Sequence, residues 1–366
     1  MSRYDLDRAA LRTLLTGEPA YRADQLFDGL YRRLAEPEDC TELPKALRER
    51  LATSTELAPG LEVARESLAD GGATVKWLFT LGDGATVETV LMHAPRRSTV
   101  CVSSQAGCAM ACAFCATGDA GYRRQLSSGE ILEQAVRAAR RARADGRRLD
   151  HVVFMGMGEP LANAGAVLDA ARRLVSDLGL AARHLTISTV GIVPGIRRLA
   201  AEPLQVNLAV SLHAANDELR SELVPANHRY PIADLVGACE EYRARTGRRI
   251  SFEWALMAGV NDRTRDAVEL AGLARSLGAH VNLIPLNPTD GGVARGLRGS
   301  RPERVRAFRD ELLSRGVNVT VRRTRGRAID AACGQLAGSA SRSSTTTRDG
   351  ARPVRPTAPD RRSAPT

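Results

Sequence analysis

From Thr99 to Arg323 the chain alternates between two kinds of segment, and this limits its fold more than any other feature. Seven short runs rich in apolar and β-branched residues read as strands: TVCVSS, HVVFMG, HLTIST, QVNLAVSL, ISFEWAL, HVNLIPL and VNVTVRR. Between them lie stretches with helical spacing, among them Gly129–Ala142, Ala164–Val175, Ile232–Ala244, Arg265–Leu277 and Pro302–Leu313. The first follows Ser127-Ser128-Gly129-Glu130, which has the spacing of a capping box. A helix between two strands returns the chain to the same sheet edge, so the strands run parallel. Six or seven such units favour a full or partial β/α barrel, although alternation alone also allows an open doubly wound sheet.

The flanks read differently. Residues 1–70 form a small helical domain, with Tyr21, Leu26 and Leu30 on one apolar face and Leu43, Leu47 and Leu51 on another. Residues 71–96 hold two strand-like runs around Gly82-Asp83-Gly84 and read as a β-hairpin extension. The barrel takes residues 97–337. Residues 338–366 are rich in Ser, Thr, Pro and Arg and poor in large apolar side chains, so they read as a disordered basic tail. No apolar run approaches membrane-spanning length, and MSRYDLDRAALRTLL lacks a signal-peptide layout. The expectation is a cytoplasmic protein with no membrane partner, which argues against a disulfide scaffold for its seven cysteines.

The net charge is +10, and Lys45 and Lys76 are the only lysines, so the excess is guanidinium. Arg suits polyanions because it grips phosphate bidentately and releases counterions. Arg137–Arg148 and Arg322–Arg327 are the candidate phosphate-contacting segments; a solvated helix face explains the first equally well. At 4% aromatic content a broad base-stacking platform is not indicated.

Four of the cysteines fall within CVSSQAGCAMACAFC, just after the first strand of the alternating array. Cys108, Cys112 and Cys115 form C-x3-C-x2-C, which can hold three irons of a [4Fe–4S] cube and leave the fourth open to a small molecule. Structural zinc wants four closed ligands, and no second C-x2-C pair exists here. Thioredoxin-like chemistry would use Cys112 and Cys115 but leave Cys108 unexplained.

A barrel also predicts that functional groups sit just past the C-terminal strand ends. Polar clusters occupy those places: Gly156-Met157-Gly158-Glu159-Pro160, Ser188-Thr189-Val190-Gly191, Ser211-Leu212-His213, and Asn287-Pro288. Each alone has an ordinary structural reading, and it is their joint placement that points to a ligand.

The cysteine spacing after a first strand resembles the radical S-adenosylmethionine (radical-SAM) superfamily. The combination CVSSQ, C-x3-C-x2-C, GMGEP, STVG, SLHAANDELR, GVNDRT, NLIPLNP and IDAACGQL resembles its RlmN/Cfr family of RNA adenine methyltransferases, over roughly residues 20–337. The resemblance implies a partial (β/α) barrel of the radical-SAM type. It implies a [4Fe–4S] cluster on Cys108, Cys112 and Cys115 and S-adenosylmethionine held by Gly158, Glu159, Ser188, Ser211, Leu212, His213 and Asn287. Two S-adenosylmethionine molecules serve each turnover, one as methyl donor and one as radical source.

Cys333 matches the cysteine that carries the methyl group, with Arg322, Arg323, Arg325 and Arg327 nearby to favour its thiolate. Cys101 matches the cysteine that resolves the protein–RNA crosslink through a transient Cys101–Cys333 disulfide. Glu88 matches the family's proton acceptor; its place on a period-two strand beside Val90 and Met92 is odd for a solvent-facing carboxylate. Whether Cys101 or Glu88 takes the ring proton stays open. The implied partners are 23S rRNA, tRNA and an electron donor such as a flavodoxin or ferredoxin, and the chain is expected to be a monomer. Methylation at adenine C2 is the broader family chemistry, and C8 methylation with antibiotic resistance is the alternative. A radical-SAM activase or mutase would need only the three cluster cysteines, and an iron–sulfur or zinc RNA-binding protein would not cleave the cofactor. Cys40 and Cys239 read as structural.

Overall fold

The computed structural model describes residues 2–322 and 324–337. The expected basic tail, residues 338–366, lies outside them. Strands β1 (Leu61–Ala69), β2 (Thr74–Leu81), β3 (Thr86–Ala94) and β4 (Arg97–Cys101) form an antiparallel meander, and two short strands, β5 (Gln105–Gly107) and β6 (Tyr122–Gln125), pair separately. Then β7 (Leu149–Phe154), β8 (Leu185–Thr189), β9 (Asn207–Ser211), β10 (Ile250–Leu256), β11 (His280–Pro285) and β12 (Val319–Val321) continue the main sheet. From β4 onward every pairing in that sheet is parallel and its strands stand in chain order. A doubly wound sheet would reverse its order at a switch point, and this one does not. The sheet curls until its far end meets its beginning: Arg322, just past β12, reaches Met155 Sδ past β7 at 3.9 Å and Glu253 on β10. The result is a partial barrel that carries an antiparallel extension on its first edge.

The helices fall between the strands as the spacing predicts. Helices α1 (Arg8–Leu14), α2 (Tyr21–Asp28) and α3 (Lys45–Ala52) make the N-terminal part, and the one-turn α4 (Ala116–Asp119) follows the cysteine loop. The crossovers are α5 (Ser128–Ala144), α6 (Ala164–Ser176), α7 (Val193–Ala201), α8 (Asp217–Leu223), α9 (Ile232–Thr246), α10 (Thr264–Leu277), α11 (Asp290–Ala294) and α12 (Pro302–Ser314). The capping box at α5 is made in both directions, Glu130 N to Ser127 Oγ at 3.1 Å and Ser127 N to Glu130 Oε2 at 2.9 Å. The Gly82-Asp83-Gly84 turn joins β2 to β3, with Leu81 N bonded to Ala85 O at 2.8 Å. Among the described residues no helix is long and apolar enough to cross a membrane.

Two expectations need correction and a third is narrowed. Residues 61–69 fall within the segment read as helical but form strand β1, because pairing along β2 supplies their hydrogen bonds and overrides a weak local pattern. Tyr21 is 54% exposed, while Leu26 and Leu30 are buried as expected. The arginines of Arg137–Arg148 largely strap the N-terminal part to the barrel. Arg137 bonds Glu133 and Leu61 O, Arg140 bonds Glu36, Leu34 O and Tyr4 Oη, and Arg143 bonds Arg33 O. Arg137 and Arg140 spend donors on protein acceptors, whereas Arg143, Arg147 and Arg148 stay exposed, so the phosphate-contacting candidates narrow to the end of the segment.

Candidate active site

The C-terminal strand ends converge on one cavity lined by Cys108, Cys112 and Cys115 together with Gly158, Glu159, Ser188, Ser211, His213, Asn287 and Cys333. The cysteine loop is fixed from four sides. Cys108 N bonds Gly121 O at 2.9 Å, Ala113 N bonds Leu223 O at 3.0 Å, Ala116 N bonds Gly334 O at 2.8 Å, and Arg295 Nη1 donates to Ala113 O at 3.0 Å. At Gly107, φ is +77° and an added Cβ would meet Gly121 O at 1.9 Å, so only glycine brings the loop this close to β6. Burial pushes the Cys108 thiol up to about 12 and raises Cys112 well above its ordinary value, each further raised by its neighbouring thiols. Thiols in such a place ionise only when a cation compensates them, which is the service a metal cluster performs. No three His, Cys, Asp or Glu side chains among the described residues converge as a single ion would require. A cube, which takes each thiolate on a different iron, makes no such demand.

Glu159 is 2% exposed, and its oxygens accept from Leu161 N at 3.0 Å and Val190 N at 2.8 Å. Burial raises its carboxyl to about 7 against the pull of those bonds. Gly158, at φ +98°, lies so close to Gln105 that an added Cβ would meet Gln105 Cβ at 2.5 Å, and Gln105 Oε1 in turn accepts from Glu159 N at 2.7 Å. His213 sits in the left-handed region at φ +59°. Its Nδ1 accepts from Ala255 N at 3.0 Å, which places the ring proton on Nε2. Burial lowers its pKa to about 3, so the ring is neutral. The Phe114 ring packs edge-on against it, the centroids 4.5 Å apart. Ser188 Oγ donates to Phe154 O at 2.6 Å. Asn287 Nδ2 donates to Cys333 O at 3.2 Å, whereas its buried Oδ1 and that of Gln335, Oε1, have no hydrogen-bond partner. Asn287 lines the cavity, and an unpartnered buried acceptor beside an apolar cavity fits a polar cofactor with donors of its own.

Three expected site residues are placed differently. Leu212 is buried and offers no side chain to the cavity; its O accepts from Arg220 and its N donates to Glu253 O. Cys101 lines a smaller adjoining cavity, with Cys333 between the two. Glu88 lines neither. It pairs with Lys76 Nζ at 2.8 Å, and its Oε2 accepts from Ala337 N at 2.8 Å. Cys333 itself is open to the cavity although protein surrounds it. Burial raises its pKa, Arg322 lowers it and Glu253 raises it again, so the arginines do not leave a resting thiolate. Arg325 turns to His93 O, Arg327 is exposed, and Arg323 lies outside the described residues.

Two residues to which the sequence reading gave no role, Arg220 at the end of SLHAANDELR and Glu253, do much of the positioning. Arg220 is fully buried and donates to Val190 O at 2.6 Å, Leu212 O at 3.1 Å, Ser211 O at 3.3 Å and Asn227 Oδ1 at 2.7 Å. Glu253 accepts from Asn282 Nδ2 at 2.8 Å and pairs with Arg322 at 3.2 Å, which sets a buried ion pair beside both Cys101 and Cys333. A charged residue inside the otherwise apolar run ISFEWAL was the signal for Glu253.

A parallel partial barrel with three loop cysteines and ligand groups at its strand ends defines a radical-SAM enzyme. The Radical SAM superfamily model matches residues 102–271. A Salinispora tropica protein bearing the name dual-specificity RNA methyltransferase RlmN is 53% identical, covering 91% of this chain and 92% of its own. A Chloroflexus aurantiacus protein of the same name is 51% identical, covering 92% of each chain. The crystal structure of a radical SAM methyltransferase from Sphaerobacter thermophilus superposes with a TM-score of 0.88 at 51% identity, over 93% of this chain and all of that one. The chain belongs to the RlmN family and is a radical-SAM RNA methyltransferase.

Proposed function

We propose that this enzyme methylates C2 of an adenosine in 23S rRNA and of an adenosine in the anticodon loop of tRNAs, with Cys333 as the methyl carrier. The observation that carries the reading is the placement of Cys333, open to the cavity of the cluster cysteines on one side and sharing a second cavity with Cys101 on the other. Cys108, Cys112 and Cys115 would hold the cluster, and the Asn287 oxygen, with Ser188, Ser211 and His213, is available to S-adenosylmethionine. Bound there, a [4Fe–4S] cluster would supply one-electron chemistry, reductive cleavage of S-adenosylmethionine to a 5′-deoxyadenosyl radical and return of one electron.

The Cys333 thiolate takes a methyl group from the sulfonium of a first cofactor molecule, releasing S-adenosylhomocysteine. Arg322 stabilises the charge of that thiolate. Loss of a methyl hydrogen to the radical lets the carbon join adenine C2. After loss of one electron, with Cys101 or Glu88 taking the C2 proton, the Cys101 sulfur, whose thiol burial raises to about 12, gives up its proton as it attacks the Cys333 sulfur. The S–C bond breaks, the carbon takes a proton to complete the new methyl group, and a Cys101–Cys333 disulfide remains. A dithiol reductant restores it with two electrons. The target base must leave its stack to enter the cavity. A flavodoxin or ferredoxin delivers the reducing electron to a monomeric enzyme in the cytoplasm.

The test is mass-spectrometric nucleoside analysis of 23S rRNA and tRNA incubated anaerobically with reconstituted enzyme, reductant and S-adenosylmethionine. 2-Methyladenosine in both RNAs is the expected result. 8-Methyladenosine, or no methylated adenosine from an enzyme that cleaves the cofactor, refutes the proposal.

A further inference from the structure

Of the 52 basic residues only Lys45 and Lys76 are lysines. Lys45 is exposed on α3, but Lys76 is 7% exposed in the middle of β2. Its ammonium lies 2.8 Å from Glu88 Oε1 and donates to Asp330 O at 3.3 Å. Glu88 Oε2 accepts from Ala337 N at 2.8 Å. Asp330 and Ala337 bracket Cys333, so one buried ion pair grips the chain on both sides of that cysteine.

The sheet register explains how the pair reaches it. Lys76 stands opposite Val90, and Val90 opposite Cys101, so all three project from the same face, and Glu88 joins them two residues along β3. Residues 324–337 cross that face. Their first part is tied to the extension by Gly326 N on Asp70 Oδ2 at 2.9 Å, and their far side to the cluster loop by Ala116 N on Gly334 O at 2.8 Å. Between those ties the segment has little regular structure, one short turn at Arg327–Ile329. Its shape is therefore set by what it is bonded to.

We propose that Lys76 is a positioning residue for Cys333, its ammonium and the Glu88 carboxylate together pinning both ends of the 330–337 turn so that the sulfur stands between the cluster loop and Cys101. The inference rests on the reading of Cys333 as methyl carrier. It gives Glu88 a holding role whether or not that residue also takes a proton. A compact ammonium can point separate donors at a carboxylate and a carbonyl, whereas the planar guanidinium that serves almost everywhere else in this chain presents a rigid fork.

The experiment compares wild type, Lys76→Met and Lys76→Arg as full-length, cluster-reconstituted enzymes. Three quantities are read: hydrogen exchange of the 330–337 amides, the rate of Cys333 methylation without RNA, and reductive cleavage of S-adenosylmethionine. Removing one partner of a buried pair leaves the other charge uncompensated, so Lys76→Met is expected to speed exchange in the turn by roughly a hundredfold. Cys333 methylation is expected to fall about tenfold or more, since a small misplacement of a reacting group costs this much. Lys76→Arg shifts both in the same direction, and iron content and cofactor cleavage stay within about twofold, which shows the barrel intact. Wild-type exchange in both variants overturns the proposal, and so does lost methylation with unchanged exchange, which would assign Lys76 to the chemistry. RNA methylation by Cys333→Ala would overturn the carrier reading alone, because the exchange measurement does not depend on it.

Discussion

Arg220→Lys probes the linkage that holds the cofactor side of the mouth. Val190 is gripped on both sides of its Cα, its N–H by Glu159 and its carbonyl by Arg220, while Arg220 also reaches Ser211 O and Leu212 O at the end of β9. One side chain thus binds two of the strand-end motifs together, and Val190 N links them on to Glu159. Burial lowers the guanidinium pKa to about 10, still charged at neutral pH. Lysine keeps the charge but replaces a planar fork with a shorter tetrahedral head, which can reach about two of the four acceptors. Each buried acceptor left unpaired costs about 1–3 kcal/mol, so the variant should lose roughly 2–6 kcal/mol of stability. Urea unfolding followed by circular dichroism measures that loss, and titration of the reconstituted protein with S-adenosylmethionine measures the mouth. Affinity for the cofactor should drop about tenfold or more, because Val190, Ser188 and Ser211 all shift with their strand ends. An unfolding midpoint and a cofactor affinity both equal to wild type would refute the reasoning.

Cys333→Ala should abolish RNA methylation while leaving cofactor cleavage intact, as followed by 5′-deoxyadenosine release. Cys101→Ala should accumulate a covalent protein–RNA adduct under turnover conditions, visible as a nuclease-sensitive shift on a denaturing gel; free RNA alone would count against its resolving role. His213→Asn keeps an acceptor for Ala255 N and a side chain tolerant of positive φ, but removes the titration. The wild-type imidazole has a folded pKa of about 3 against a reference of 6.5, so its stabilising share is full above 6.5 and is lost as pH falls from 6.5 through 3. Urea midpoints measured between pH 7.5 and 4 should therefore fall less steeply in the variant than in wild type.

The alternation of strands and helices determined the parallel array, and the spacing of Cys108, Cys112 and Cys115 marked the cysteine loop that lines the cavity, because both are local patterns. Strand ends were legible for the same reason: period-two runs stop where Gly156, Ser188, Ser211 and Asn287 begin. Helix α7 was harder to see, since it opens on Val193-Pro194-Gly195 and its Gly195 is there to approach Leu161, a contact with no local signature. β1 went unread because its hydrogen bonds lie in a neighbour and not in itself. The roles of Arg220, Glu253 and Lys76 depend on partners such as Val190, Arg322 and Asp330, 30, 69 and 254 residues away, so no short window of sequence contains them. The same holds for Glu88. By its own sequence surroundings this carboxylate reads as a plain edge-strand charge and only the family resemblance makes it a base; the tertiary structure alone shows that a lysine diagonal to it on β2 and the amide of Ala337 bond its two oxygens. Ligand identity is written in residue types and spacing, which the chain carries along its length. The charge and aim of each buried group are set by whatever the fold packs against it.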